Sequence, residues 1–387
     1  VEDFIYRNPT TIYFGRKTEE KVGEIVAQYS RNILFHHYGE DILKTIGIYD
    51  TVIRSLNDAG VKYTELGGVE PNPRISLVRK GIEICREKNI DFVLAVGGGS
   101  VIDSSKAIAF GVPYNGDVWD FFMFKARVQE TLPVGSILTL PGTGSESSLS
   151  CVVTNEDTGF KGSVDTDVIR PKFAILNPEL TMSLPMYQTM CGTFDAFSHI
   201  VERYFVDADN VTVTDMQCEA AMKAIIHIGP LQQDDPRNYD YRAEIMWASK
   251  IAHDNSLGVG RFGDWGAHLL GHQISAVCDL THGASTAIMM LAWMKYIYKQ
   301  HIDRFYKFAV NVFGVEPTAM SRELTALEGI LRLDAFINRL RLPTSLTAAG
   351  IDASKIPEIT RFFEKGKPGS FHPLTKEDVE NIFELAR

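Results

Sequence analysis

No apolar run in this chain approaches the ~18–20 residues that a bilayer-crossing helix needs. Basic runs are missing too: 39 lysines and arginines stand against 49 aspartates and glutamates, a formal net charge of −10. Neither nucleic acid nor an anionic membrane surface is therefore an expected partner. Cysteine is sparse. The five present (Cys85, Cys151, Cys191, Cys218, Cys278) are odd in number and never form a CxxC pair. They read as buried or free thiols in a reducing compartment, the cytoplasm. The opening residues, VEDFIYRNPT, lack the charged-then-apolar pattern of a secretory leader. Without a Gly-x-Ser-x-Gly elbow, serine hydrolase chemistry has no support. Neither an internal repeat nor a low-complexity segment is found.

What is present describes a large, two-part protein. At 387 residues and 45% hydrophobic content, the chain can build more than one core. In the first ~180 residues, short β-rich runs (33–37, 61–66, 92–96, 134–140, 173–176) alternate with helical stretches (17–29, 49–59, 75–88). Such alternation predicts βαβ units and a mostly parallel, Rossmann-like α/β sheet. From about Leu184 the pattern turns to long amphipathic segments (186–206, 211–228, 237–257, 265–277, 283–298, 317–340), an all-α half. The proline-bearing stretch 177–185 marks the boundary, giving an expected α/β domain over 1–184 and a helical domain over 185–387. A cleft between two such domains would be the expected place for chemistry.

Two groups of residues carry that chemistry. In GTFDAFSHIVE, Asp195 and His199 stand four apart and so share a helical face. In GDWGAHLLGHQISAVCDLTHG, His268 and His272 stand one turn apart, and His282 follows fourteen residues after His268. Asp195, His199, His268 and His282 make a plausible N/O site for a divalent metal, with Fe(II), Zn(II), Co(II), Ni(II) and Mn(II) all chemically suited. The other histidines (His36, His37, His227, His253, His301, His372) read as ordinary core or surface residues. Upstream, AVGGGSVID places Gly97, Gly98 and Gly99 between a strand and a helix, where backbone can approach a phosphate closely. Ser100 is the expected cap of that helix. This is not the GxGxxG fingerprint, so the motif alone does not make a dinucleotide site. Asp103 has two open readings, a contact to a cofactor or a stabiliser of the helix start.

Taken together, GGVEPNP (67–73), AVGGGSVID (95–103), TLPGTGSESS (139–148), the Asp195/His199 helix and DWGAHLLGH (264–272) resemble, in order and almost end to end, the iron-containing (group III) alcohol dehydrogenases. The branch is that of butanol dehydrogenases and broad-range aldehyde reductases. The resemblance implies a dehydroquinate synthase-like two-domain fold, a homodimer with Thr11–Phe14 as a candidate interface strand, and hydride transfer between NAD(P)(H) and a primary alcohol or aldehyde. It implies Fe2+ in the metal site, with Zn2+ the main rival, and pyrophosphate against Gly97–Ser100. By the same resemblance Thr139, Thr143 and Lys161 line the dinucleotide site, and His272 lies by nicotinamide and substrate. The other reading of His272 is a hydrogen-bond partner that steadies a metal ligand. Gly39, Glu40 and Asp41 fall where relatives carry a glycine–serine–lysine stretch for a 2′-phosphate. The branch favours NADPH, whereas Glu40 and Asp41 would repel a phosphate and accept hydrogen bonds from a ribose diol, so the balance leans to NAD(H).

Two rivals share the fold: a dehydroquinate synthase-like lyase and a polyol dehydrogenase. The lyase needs a basic cluster for a phosphorylated substrate. In the metal segments Arg203 and Arg261 are isolated, and Phe194, Phe197, Phe262 and Trp265 predominate, which suits an aliphatic alcohol or aldehyde.

Overall fold

The β-branched and leucine-rich runs of the first half form the centre of a parallel sheet. The structure, a computed structural model, describes residues 1–387 except 209, 318–320 and 365. Its strands are β1 (Thr11–Phe14), β2 (Asn32–His37), β3 (Lys62–Leu66), β4 (Phe92–Gly97), β5 (Val134–Leu138), β6 (Ser150–Asn155), β7 (Phe160–Asp165) and β8 (Phe173–Leu176). Six of them make one sheet in the order β1-β8-β5-β4-β2-β3, every neighbouring pair parallel. Residues of β4, β5 and β8 are buried throughout, as expected where helices cover both faces. On one face Ile33, Phe35, Leu94, Val96 and Ile175 pack with Val52 and Leu56. On the other, Leu34 and Val93 pack with Val78, Ile82 and Ile108. The chain leaves β3 on one side of β2 and enters β4 on the other. Strand order therefore reverses between β2 and β4, which is where open α/β sheets bind ligands, beyond the carboxyl ends.

β6 and β7 form an antiparallel hairpin outside this sheet, not anticipated from the sequence. Its strands, SCVVTN and FKGSVD, mix polar, small and apolar residues without a clean two-residue period. Long-range contacts fix the hairpin instead: Thr154 N–H donates to the Pro73 carbonyl (2.8 Å) and Lys161 Nζ to Asn72 Oδ1 (2.8 Å).

The chain divides into two compact units. One contains Arg7–Leu184 and Arg237–Lys250; the other contains Val1–Tyr6, Pro185–Pro236 and Ile251–Arg387. Segment 237–250, expected in the helical half, thus belongs with the sheet unit. The physical reason is local: Met246 is buried with Ala174 and Leu176, and Ser249 Oγ accepts from Gly142 N–H at 2.7 Å. In the second unit the main helices include Met186–Tyr204, Thr212–Ile228, Gly266–Cys278, His282–Ile297, Ile302–Asn311, Arg322–Arg339 and Lys376–Leu385. Of the expected helical stretch 317–340, residues 318–320 lie outside the described ones, and the helix runs Arg322–Arg339. His282–Ile297 is buried on nearly every side and forms the axis of this unit. No described helix is long and apolar enough to cross a membrane.

His36 is a satisfied core histidine. Its Nδ1 lies 2.6 Å from the Leu66 carbonyl and its Nε2 2.8 Å from Ser104 Oγ. Burial drives its pKa down from 6.5 to about 4, and burial also lowers His37. Between those two pH values the unfolded chain holds a proton that the folded chain refuses, so stability falls with pH across that window. We expect the His36 contribution alone to cost about 2 kcal/mol between pH 7 and pH 5. Urea midpoints measured across this range should show a flatter slope in His36→Gln; an unchanged slope would contradict the assignment.

Candidate active site

Asp195 and His199 sit on Met186–Tyr204, His268 and His272 on Gly266–Cys278, and His282 opens His282–Ile297. The structure brings these helices to one point. Asp195 Oδ1 is 3.4 Å from His282 Nε2, 3.9 Å from His268 Nε2 and 4.0 Å from His199 Nδ1. One ligand atom each from Asp195, His268 and His282 falls within 4.8 Å of the others. Donors ~2.0–2.2 Å from one ion lie roughly 3–3.5 Å apart, so small side-chain adjustments suffice to close this set on a metal. His199 Nδ1 is buried and has no hydrogen-bond partner among the described residues, as an inward-facing ligand nitrogen would be. Burial, with help from His253, His268, Arg203 and His282, holds the His199 pKa well below its ordinary value. A neutral imidazole is the form that ligates. Asp195, His268 and His282 are thus the mutually close set, His199 stands beside it through Asp195 at 4.0 Å, and such nitrogen and oxygen donors fit a borderline divalent cation.

The close approach of the helices has a specific cause. At Gly283 a Cβ would overlap the Cys191 carbonyl, a backbone group that cannot swing away. Glycine at 283 lets the start of one helix press against the middle of another, bringing His282 to Asp195.

Several residues here escaped the sequence reading. Glu202, fully buried, accepts from Trp265 N–H (2.7 Å), His268 N–H (2.9 Å) and the His268 ring through Nδ1 (2.8 Å). A signal existed: Glu202 is three residues after His199 and seven after Asp195, on the same helical face. Trp265 adopts a left-handed backbone, φ 64°, at the N-terminus of the His268 helix, an uncommon conformation for a bulky side chain. Its indole lies 4.6 Å from the Arg203 guanidinium and stacks at 5.5 Å on His253. His253, read from sequence as ordinary, sits 4.2 Å from the His199 ring, centroid to centroid. No spacing pattern links it to the ligand segments. His272 is half-buried, with its ring 5.0 Å from that of His282.

Two sequence arguments need correction. Phe194 and Phe197 do not line a pocket; both are fully buried and pack with each other and with Phe336 at ring distances of 5.3–6.4 Å. The burial of a helix on all sides, which periodicity alone does not reveal, turns them into the core. Arg261 is isolated in sequence but engaged in space, ion-paired with Asp215, which Arg304 also holds at 2.7 Å. It is committed to a structural cluster instead of a substrate phosphate, which weakens the lyase alternative on physical grounds.

In the sheet unit, β4 runs directly into the helix Gly99–Gly111 at the point where strand order reverses. Helix capping differs from expectation. Gly98 is the N-cap residue, no side chain caps this end, and Ser100 is already inside the first turn. The glycines make room for the protein's own side chains. A Cβ at Gly98 would meet Tyr38 Oη at 2.9 Å and Leu140 Cβ at 3.0 Å, and one at Gly99 would collide with Thr143. Thr139 N–H donates to the Gly97 carbonyl (3.0 Å), and Thr143 Oγ1 accepts from Ser145 N–H (3.2 Å). Asp103 accepts from Ser145 Oγ (2.5 Å) and Val152 N–H (3.2 Å). Burial raises its pKa, against the opposing pull of the Lys106 charge. Lys106, missed in the sequence, is fully buried and donates to Ser145 Oγ (3.0 Å), the Ser148 carbonyl (3.1 Å) and the Ser150 carbonyl (2.8 Å). Asp103 and Lys106 together pin the TGSESS loop against the helix. Glu40 and Asp41 open the helix Glu40–Ile46 after Gly39, and Lys44 is ion-paired with Glu40.

Comparison with known proteins is consistent across the chain. A family model described as iron-containing alcohol dehydrogenase matches residues 9–178, and one described as the C-terminal part of the Fe-containing alcohol dehydrogenase family matches 189–387. The chain is 40% identical to a probable NADH-dependent butanol dehydrogenase of Bacillus subtilis over 98% of both chains. It is 32% identical to an NADPH-dependent aldehyde reductase of Escherichia coli over 100% of both. Among solved structures, an NADH-dependent butanol dehydrogenase from Thermotoga maritima superposes with a TM-score of 0.95 at 37% identity, over 100% of this chain and 98% of that one.

The glycine at 283 generates a test. Gly283→Ala should force the two ligand helices apart, lower stability by roughly 1–3 kcal/mol as over-packing does, and reduce bound iron per chain. Wild-type melting together with wild-type iron content would show that the contact is not what sets the site.

Proposed function

The chain belongs to the iron-containing alcohol dehydrogenase family, and on that footing we propose that Asp195, His199, His268 and His282 hold its metal and that NADH is its preferred cofactor. The protein is an NAD(P)-dependent alcohol dehydrogenase and aldehyde reductase of the iron type. The observation that carries the site assignment is the convergence of one carboxylate oxygen with three imidazole nitrogens at 3.4–4.0 Å.

Bound there, a divalent metal supplies Lewis acidity toward a substrate oxygen, and the dinucleotide supplies or takes the hydride. The protein's residues do the rest. Asp195 would contribute the carboxylate oxygen that holds the metal, and the three histidines the imidazole nitrogens. His272, half-buried beside His282, is the group that exchanges a proton with the substrate oxygen, directly or through water; an imidazole suits this near neutrality. Gly97, Gly98, Gly99 and Ser100 offer backbone N–H groups at a helix start for the pyrophosphate. Thr139, Thr143, Asp103 and Lys161 complete the dinucleotide site; Asp103 acts there by fixing the Ser145 loop, which its hydrogen bonds support. Gly39, Glu40 and Asp41 face the adenosine ribose. Because Glu40 already neutralises Lys44, no free cation in this stretch is offered to a 2′-phosphate, which favours NADH.

The substrate class is a small alcohol or aldehyde. A butanal-sized primary aldehyde is the first choice, since the similar chains named above are butanol dehydrogenases and an aldehyde reductase. A homodimer and a cytoplasmic setting belong to the same reading. Support for the first is that β1 lies at the sheet edge, and for the second that the cysteines are free thiols. Two domains dividing at 184/185, with Arg237–Lys250 returning to the first, complete it.

Anaerobic reduction of butanal by Fe(II)-loaded protein should proceed with NADH at a kcat/KM at least about tenfold above NADPH, ~1.4 kcal/mol of discrimination. Glu40→Ser should narrow that ratio. Equal use of both cofactors would remove the role given to Glu40. His268→Ala should lose iron and turnover together; full turnover by metal-free protein would sink the metal assignment.

A further inference from the structure

Glu202 stands outside the ligand set, yet it is the most completely buried carboxylate near it. Its donors all come from one turn of chain. Oε2 takes Trp265 N–H at 2.7 Å, and Oε1 takes both His268 N–H at 2.9 Å and the His268 ring at 2.8 Å. Two of the three bonds therefore end on the same residue, one on its backbone and one on its ring.

This geometry dictates a tautomer. An ionised carboxylate only accepts hydrogen bonds, so the ring nitrogen 2.8 Å away, Nδ1, must carry the proton. The opposite tautomer would set two lone pairs against each other at that distance. With Nδ1 engaged by Glu202, Nε2 is the nitrogen left for a metal, and it faces Asp195 Oδ1 at 3.9 Å. The backbone bond to the same oxygen keeps the ring from turning away. The third bond holds Trp265 in its left-handed conformation at the head of the helix, so one side chain fixes where that helix starts and how its first ligand points.

We propose that Glu202 is a positioning residue of the metal centre: through His268 it sets the tautomer, orientation and basicity of one ligand, and thereby the affinity for the metal. The inference rests on the ligand assignment made above. Glu202 lies on the helix that carries Asp195 and His199, so it also ties that helix to the one that carries His268. Carboxylate partners of ligating histidines typically matter by 10–100-fold in metal affinity.

Glu202→Gln keeps the size of the side chain and removes its charge. Glu202→Asp keeps the charge and withdraws it by one methylene. Cobalt(II) is the probe, because its visible spectrum reports ligand geometry. Glu202→Gln should bind cobalt roughly 10–100-fold more weakly, with a shifted spectrum, while NADH binding stays unchanged. Glu202→Asp should recover part of the loss. In a His268→Ala background Glu202→Gln should add little further loss, since its partner is gone. An equal loss in that background would show that Glu202 acts on the fold and not through His268, and would overturn the proposal. Wild-type cobalt affinity and spectrum in Glu202→Gln, with affinity lost in His268→Ala, would overturn the proposal alone. Wild-type affinity in His268→Ala would overturn the ligand assignment, and this inference with it. Nitrogen-15 NMR of metal-free wild-type protein needs no variant: His268 Nδ1 should carry a proton held in a hydrogen bond to Glu202, and an Nδ1 without a proton would refute the proposal.

Discussion

A carboxylate facing three imidazoles in a buried space is costly to assemble unless something positive joins them. That cost is the constraint around which the helical unit is arranged. Asp195 and His199 come from one helix, His268 from a second and His282 from a third. None of these helices reaches the common point by its own sequence. Gly283 permits contact with the Cys191 carbonyl, and Glu202 ties the first helix to the head of the second. The near-complete burial of Met186–Tyr204 and His282–Ile297 then leaves the ligand carriers little freedom to drift.

The sheet unit is organised around a glycine turn. β4 ends in glycines where strand order reverses, and the TGSESS loop closes over the helix start. A buried lysine and a half-buried aspartate organise that loop. Lys106 spends its donors on Ser145, Ser148 and Ser150, and Asp103 receives Ser145 and Val152. Burial lowers the lysine pKa and raises that of the aspartate, so each is tuned by the same dry surroundings. The charges serve the loop's shape.

Much of this was legible from residues alone, for identifiable reasons. The runs FVLAV and FAIL are apolar throughout because their strands are covered on both faces, and that pattern survives without tertiary knowledge. Asp195 with His199 was readable because i and i+4 share a helical face whatever the fold. Contacts between distant segments were not. The hairpin β6–β7 depends on Pro73 and Asn72, some eighty residues upstream. His253 belongs to the His199 surroundings only through packing, and Phe194 and Phe197 went into the core because their helix is buried on every side. Ser100 looked like a cap because serine usually is one there; Gly98, in extended conformation, takes the position instead. Glu202 was overlooked although its spacing placed it on the ligand face, since a carboxylate in a helix is ordinarily a solvated one.

The central claim is that this chain's own four side chains, with nitrogen and oxygen donors only, hold its iron. X-ray absorption at the iron edge of the Fe(II)-loaded protein tests that most directly. Ligation by these four side chains gives a nitrogen/oxygen shell at about 2.0–2.2 Å, with outer-shell scattering that counts three imidazoles. A sulfur shell near about 2.3 Å, or scattering from fewer than three imidazoles, would contradict it.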